Sequence, residues 1–354
     1  MTALPDVPWK VGLEIELMAP PGRTRRDLAQ AIAGPDRPLR TFWHIQSEPS
    51  AVPGMDVFHN LTPGFEVPTD TDWEVRVVDD LTLQRDLDRR ARPKRGWQRI
   101  VSDDLRLLRL IQRHADAESP LDTALSPVAA LWGTEVEAAA GGIARLTDGH
   151  GASICLGAPL PGERERPAEL VTCPMEAQHF ERLAHWLGTA TRLGFSVPHE
   201  AAVHVHCDAA RLRDPGALQR LARLWLRHRT AIRERVRTNP ACVRLGPWSE
   251  ALQQFLLDPA LPTLDWEAVC THALPLKPTK YCDLNLANLL LGLRDKPTVE
   301  FRIFPGHRDP RRLWAWAHLA AALCMAAVDD CDADDVFDLP TLHPLARAVL
   351  VELL

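Results

Sequence analysis

Val203-His204-Val205-His206 places an imidazole at every second position of an otherwise apolar run. A β-strand turns alternate side chains to opposite faces, so this tetrapeptide reads as a strand with its valines toward a core and both histidines on the other face. Two further stretches repeat the pattern: Gly12-Leu13-Glu14-Ile15-Glu16 and Thr298-Val299-Glu300-Phe301-Arg302. Within each, the polar pair shares a face, with Cα atoms roughly 6.5 to 7 Å apart. Any half-exposed strand alternates apolar residues with charges, so one such segment says little. Three of them, built from Glu, His and Arg rather than Lys and Thr, point to a shared site. As neighbours in one sheet they gather ionisable oxygen and nitrogen ligands and an arginine over a small area. Carboxylates packed that closely repel one another unless cations lie among them. A Glu-rich set with one imidazole suits magnesium or manganese better than zinc, which favours thiolate and imidazole.

Phosphate chemistry supplies a reason for such a site. The chain contains neither GxxxxGK[ST] nor GxGxxG. A nucleotide bound here is therefore held through metal ions and arginines rather than by a glycine-rich loop. Divalent cations on glutamate ligands neutralise a triphosphate, and an arginine beside them stabilises the phosphoryl group in transfer.

Five short motifs, in order, carry a resemblance: Gly12-Leu-Glu-Ile-Glu, Glu169-Leu-Val-Thr-Cys-Pro, Val203-His-Val-His, Lys280-Tyr-Cys-Asp-Leu-Asn and Thr298-Val-Glu-Phe-Arg-Ile-Phe-Pro-Gly. Together they resemble the amidoligase family, which groups with glutamine synthetase and glutamate-cysteine ligase in the carboxylate-amine ligase superfamily. Thr172-Cys173 stands where that family more often has Ser-Pro. The resemblance implies an α+β fold: a curved antiparallel sheet of the glutamine-synthetase catalytic type forming a funnel, with helices on its outer face. It implies ATP and Mg²⁺, with Mn²⁺ as a substitute. Glu14, His204 and Glu300 resemble the ligands of the metal bridging the ATP phosphates, and Glu16 and Glu169 those of a second metal nearer the acceptor. Glu74 and Asp79 are candidates for that second metal's third ligand. Arg302 resembles the arginine on the transferred phosphate, and His206, Lys280 and Asn285 are assigned to the nucleotide side. The implied activity joins a carboxylate-bearing substrate to an amine-bearing one, a peptide among the candidates, through an acyl phosphate. The same residues also suit a phosphotransferase, a metal-dependent hydrolase using His204 and His206, or a noncatalytic module binding peptide or nucleic acid.

With 354 residues, 46% apolar and 25% charged, the chain has the make-up of a globular protein able to bury a sizeable core. It reads as one catalytic domain over 1–354, with a helical insertion at 84–142 outside the recognised motifs. A net charge of −6 argues against a surface shaped for nucleic acid or an anionic membrane. The first ten residues lack a basic start followed by an apolar stretch, and a cytoplasmic location is expected. Eight cysteines occur singly, without a CxxC pair, and are expected reduced. Cys207, next to His206, falls on the opposite strand face and is set aside as a nucleophile. Leu313 to Val328 is expected as a buried helix, and Asp214-Pro215 and Asp309-Pro310 as helix starts. Residues 18 to 72 read as a Pro-rich, loop-heavy stretch. Arg85 to Arg99 carries seven basic residues, read chiefly as a solvated face and secondarily as an arm for an acidic substrate.

Overall fold

The computed structural model describes residues 4–49, 57–242, 244–292 and 296–352. Twelve strands occur among them: β1 Val11–Met18, β2 Arg40–Pro49, β3 Val57–Pro68, β4 Trp73–Val78, β5 Gln98–Ser102, β6 Glu137–Ala139, β7 Ile143–Thr147, β8 Ser153–Pro159, β9 Pro167–Thr172, β10 Ala202–Asp208, β11 Leu284–Asn285 and β12 Thr298–Pro305. The chain forms two compact units. The first comprises residues up to Ile15, Thr172–Gly188 and His199 onward; the second comprises Glu16–Val171 and Thr189–Pro198. Both mix helix with antiparallel sheet, and in neither does the strand order return on itself. No helix among the described residues is long and apolar enough to cross a membrane.

In the first unit the strand order is β11-β12-β10-β1. Its core face is covered by two long helices, Pro215–Val236 and Pro310–Asp329. Both start as expected: Asp214 Oδ1 accepts from the Ala217 amide at 2.7 Å and Asp309 Oδ1 from the Arg311 amide at 2.9 Å, each followed by a proline whose missing N–H costs nothing there. Trp225 meets Phe301 edge-on at 5.7 Å, and Trp316 stacks on Phe304 at 5.3 Å. These contacts bury the apolar face of β12 and leave Glu300 on the other one. Val203, Val205 and Cys207 are likewise fully buried. Burial, with the Cys324 thiol beside it, pushes the Cys207 thiol up, so it stays protonated.

The second unit has the order β9-β4-β3-β5-β8-β7-β6, with β2 paired to β3. Here the sequence reading needs correction twice. The stretch between β1 and β4 is not mainly loop: it holds a helix, Arg25–Ala33, and the β2–β3 pair, in register from Arg40↔Glu66 to Pro49↔Val57. Its prolines and glycines hide the strand pattern, yet they suit it. A Cβ on Gly64 would lie 2.8 Å from the Phe42 ring, so this close approach requires glycine. The 84–142 segment is α-helical at Leu105–His114 and Leu121–Leu131, with a short 3-10 turn at Ala140–Gly142, and is not helical throughout. Before the helices, Gln98–Ser102 is a strand between β3 and β8, because Ile100 alternates into the same core as Leu61, Leu108 and Leu125.

Candidate metal and phosphate site

Strand register assembles the site in the first unit. Glu14 pairs with His204 across β1 and β10, His206 with Glu300 across β10 and β12, and Asn285 with Glu300 across β11 and β12. Three adjacent strands thus bring the polar faces inferred from the sequence onto one surface. An irregularity between Val203 and Val205 gives β12 an extra residue in the Phe301–Phe304 interval, beside His204. Such bulges re-aim neighbouring side chains, here around Arg302.

His204 Nδ1 lies 3.1 Å from Glu14 Oε2 and 3.6 Å from Glu300 Oε1. His206 Nε2 lies 3.2 Å from Glu14 Oε1 and 3.8 Å from Glu300 Oε1. Two carboxylates and two imidazoles therefore crowd one spot, all largely buried. Arg302 Nη1 donates to Glu300 Oε1 at 2.5 Å, and Asn285 Nδ2 donates to Glu300 Oε2 at 2.7 Å. Lys296 Nζ donates to Glu14 Oε1 at 2.6 Å. His206 Nδ1 lies 3.2 Å from Thr298 Oγ1.

These contacts set the protonation states. Burial pushes the Glu300 carboxyl up, but His206 and Arg302 outweigh it and hold it at about 2, against the opposing charge of Glu14. Glu14 is also resisted by burial and still held well below the usual carboxylate range, by Lys296, His206 and the hydrogen bond with His204. Burial, aided by the Arg302 guanidinium, lowers His204 despite its two acidic neighbours. At neutral pH the cluster is two ionised acids beside a neutral His204, which is the state a metal ligand needs.

Glu14, His204 and Glu300 offer donor atoms that all lie within 4.8 Å of one another. An octahedral ion with bonds of about 2.1 Å places its donors roughly 3 to 4 Å apart, so the set fits Mg²⁺ or Mn²⁺. In the second unit, the carboxylates of Glu16 on β1 and Glu169 on β9 also come within 4.8 Å. Such a pair of like charges favours a cation between them. Neither candidate for a third ligand has a free carboxylate. Glu74 accepts from Arg37 at 2.8 Å, and Asp79 is buried against Arg164 at 2.6 Å. The family resemblance under which they were offered carries no information about these arginines.

Lys280 is exposed, with its ammonium 5.7 Å from the Tyr281 ring centroid. Asn285, assigned to the nucleotide from sequence, is buried and bound to Glu300, so in the structure it orients an acid. The sequence reading missed Lys296, Thr298 and Asp283. Lys296 is one of only five lysines and stands just ahead of a motif, a signal that was available. Asp283, inside the Lys280 motif, is fully buried and grips the helix behind it: Arg229 and, at 2.5 Å, Arg233 donate to its carboxylate. The Arg302 amide donates to its carbonyl at 2.9 Å, which ties that motif to β12. Searches of curated proteins and of solved structures find no match. Residues 7–324 match the family described as putative amidoligase enzyme, a span that contains all five motifs and every residue of the cluster, so the chain belongs to that family.

Proposed function

We propose that the protein is an ATP- and Mg²⁺-dependent carboxylate-amine ligase working on the funnel-shaped sheet that its sequence resemblance implies. The observation that carries this reading is the convergence of Glu14, His204 and Glu300 within 4.8 Å, with Arg302 fastened to Glu300. A purely structural ion pair needs one acid and one base, not two acids gathered about a neutral His204. Glu14, His204 and Glu300 would hold one ion and Glu16 and Glu169 another, and bound Mg²⁺ would supply the positive charge that a triphosphate needs beside carboxylates.

The residues then divide the work. Asn285 and Arg302 fix both oxygens of Glu300, so its geometry is set before substrate arrives. His206 and Lys280 serve the nucleotide phosphates, with Thr298 holding the His206 ring. An acceptor carboxylate oxygen attacks the γ-phosphorus, and the bond to the β-phosphate oxygen breaks with its electron pair leaving on ADP. Arg302, with a rigid fork of donors, stabilises the group in flight. An amine lone pair next attacks the acyl carbon, phosphate leaves, and the amine loses a proton to give the amide. Mass spectrometry of metabolite extract incubated with enzyme, ATP and Mg²⁺ tests this. A product lighter by one water than the sum of two metabolites, formed together with ADP, is expected. ADP release with an acceptor alone, unaffected by any amine, would instead identify a phosphotransferase.

A further inference from the structure

The basic run from Arg85 to Arg99 is not simply a solvated face. Two of its arginines, Arg89 and Arg99, line a cavity of about 260 Å³ in the second unit, together with Arg164. Its floor is the polar face of β3 and β5. Leu61 pairs with Ile100 and Asn60 with Val101, which puts Thr62 next to Arg99 on the face opposite the core. Asn60 and Thr62 are both about 1% exposed. The roof is made by residues 81–89 and 160–164, locked to each other. Glu163 Oε2 accepts from the Asp88 amide at 3.1 Å, and a Cβ on Gly162 would fall 2.7 Å from Arg89 Cα.

Two features of the lining point to a ligand. Among the described residues it holds three guanidinium groups and no carboxylate. Arg164 spends its fork on the protein, with Nη1 donating to the Leu83 carbonyl at 2.8 Å and Nη2 to Asp79 Oδ1 at 2.6 Å and the Asp80 carbonyl at 2.8 Å, which leaves Arg89 and Arg99 to meet a ligand. The Thr62 hydroxyl is buried yet has no hydrogen-bond partner among the described residues, and neither has Arg164 Nε. An orphaned buried hydroxyl costs stability, so its retention at the floor of a polar cavity calls for an external partner. Gln84 at the rim adds an amide, and Leu81, Leu87 and Leu160 supply apolar wall. At about 260 Å³ the cavity lies just below the roughly 300 to 1,000 Å³ usual for sites of drug-sized ligands. Guanidinium forks, a hydroxyl donor and side amides match a planar carboxylate, and the leucines match a short carbon skeleton, which inorganic phosphate lacks.

We propose that this cavity is a binding site for a small carboxylate-bearing molecule of about amino-acid size, held by Arg99, Arg89 and Thr62. The site stands on its own lining and does not depend on the ligase chemistry. Isothermal titration of the full chain with succinate tests it, with uncharged succinamide and inorganic phosphate as the other arms. Succinate should bind saturably and succinamide should not. Arg99→Gln and Thr62→Val should each weaken succinate by about tenfold, the effect of losing one hydrogen bond to a charged group. Thr62→Val should melt no lower than the wild type, because the hydroxyl it removes has no partner among the described residues; a structural threonine would lower the melting point. Three results would overturn the proposal: no saturable heat up to ~10 mM succinate, succinate binding untouched by Thr62→Val, or phosphate binding in its place.

Discussion

Asp283 and Glu300 are buried acids of the same unit held in opposite ways. Asp283 accepts from two arginines of one helix and from the Gly246 amide, so its charge is matched and its lone pairs are used. Glu300 shares one arginine and one amide, and its remaining surroundings are two imidazoles and a second acid, Glu14. Asp79 and Glu66 in the second unit share the charge matching of Asp283, each flanked by two guanidiniums. The charges of acids such as Asp283 are closed by arginines alone; Glu14 and Glu300, which the proposed function assigns to metal binding, have one cation each and also face each other and a neutral His204. Loss of a partner should therefore cost stability at the first kind and activity at the second.

The largest effect is expected at Arg302. Removing a donor that acts mainly on the transferring phosphoryl group costs about 100- to 1000-fold in turnover, roughly 3 to 4 kcal/mol. Lysine lacks the planar fork, so Arg302→Lys should be nearly as impaired as Arg302→Ala, with Mg·ATP affinity changed by less than about tenfold. Steady-state rates and titration calorimetry on the two variants separate these terms. Next comes Asp283→Asn, which leaves Arg229 and Arg233 without their counter-charge. Breaking a buried pair of this kind costs about 3 kcal/mol, at the low end of the usual range because both arginines reach solvent. Urea unfolding should show it as a shift in midpoint, and a stability equal to wild type would end the contrast between the two acids.

His318 gives a third case, a buried base beneath Trp314, with ring centroids 4.4 Å apart, near His343, His179 and Asp6. Burial lowers its imidazole from the usual 6.5 to about 4. Between those values the unfolded chain binds a proton that the folded chain does not. Its stability contribution is therefore complete above about pH 6.5 and is lost as pH falls toward 4, by up to roughly 3 kcal/mol. Thermal melts of His318→Phe across this window should lack that part of the slope. The smallest effect is expected at Lys296→Met. Its ammonium is half exposed on Glu14, and such pairs contribute at most about 1 kcal/mol, so unfolding should move little.

Much of the first unit's site was legible because each of its strands carries its chemistry at positions i and i+2. Glu14, His204, His206, Glu300 and Arg302 could be placed on shared faces without knowing which strands were neighbours. What closes the fold was not legible. Asp283 takes its arginines from 54 and 50 residues away, and Asp79 takes Arg164 from 85 away, in a chain where arginine is the default cation. Nothing local marks those partners. The β2–β3 pair was missed for a different reason: Pro63 and Gly64 sit inside β3, where they read as breakers, yet the Arg25 guanidinium caps the Pro63 carbonyl at 3.0 Å and the Phe42 ring fills the space over Gly64. Arg99 read as surface charge because it closes a run of seven basic residues, and such runs usually are solvated.

The central claim is that the acids on β1 and β12 bind the nucleotide through a divalent ion. Titration calorimetry of ATP into the wild type, with and without Mg²⁺, and into Glu14→Gln and Glu300→Gln tests it most directly. A triphosphate beside uncompensated carboxylates is repelled, so binding should appear only with Mg²⁺. It should be lost in both variants while their melting behaviour stays native-like. Tight ATP binding without divalent ions that survives both substitutions would contradict the claim.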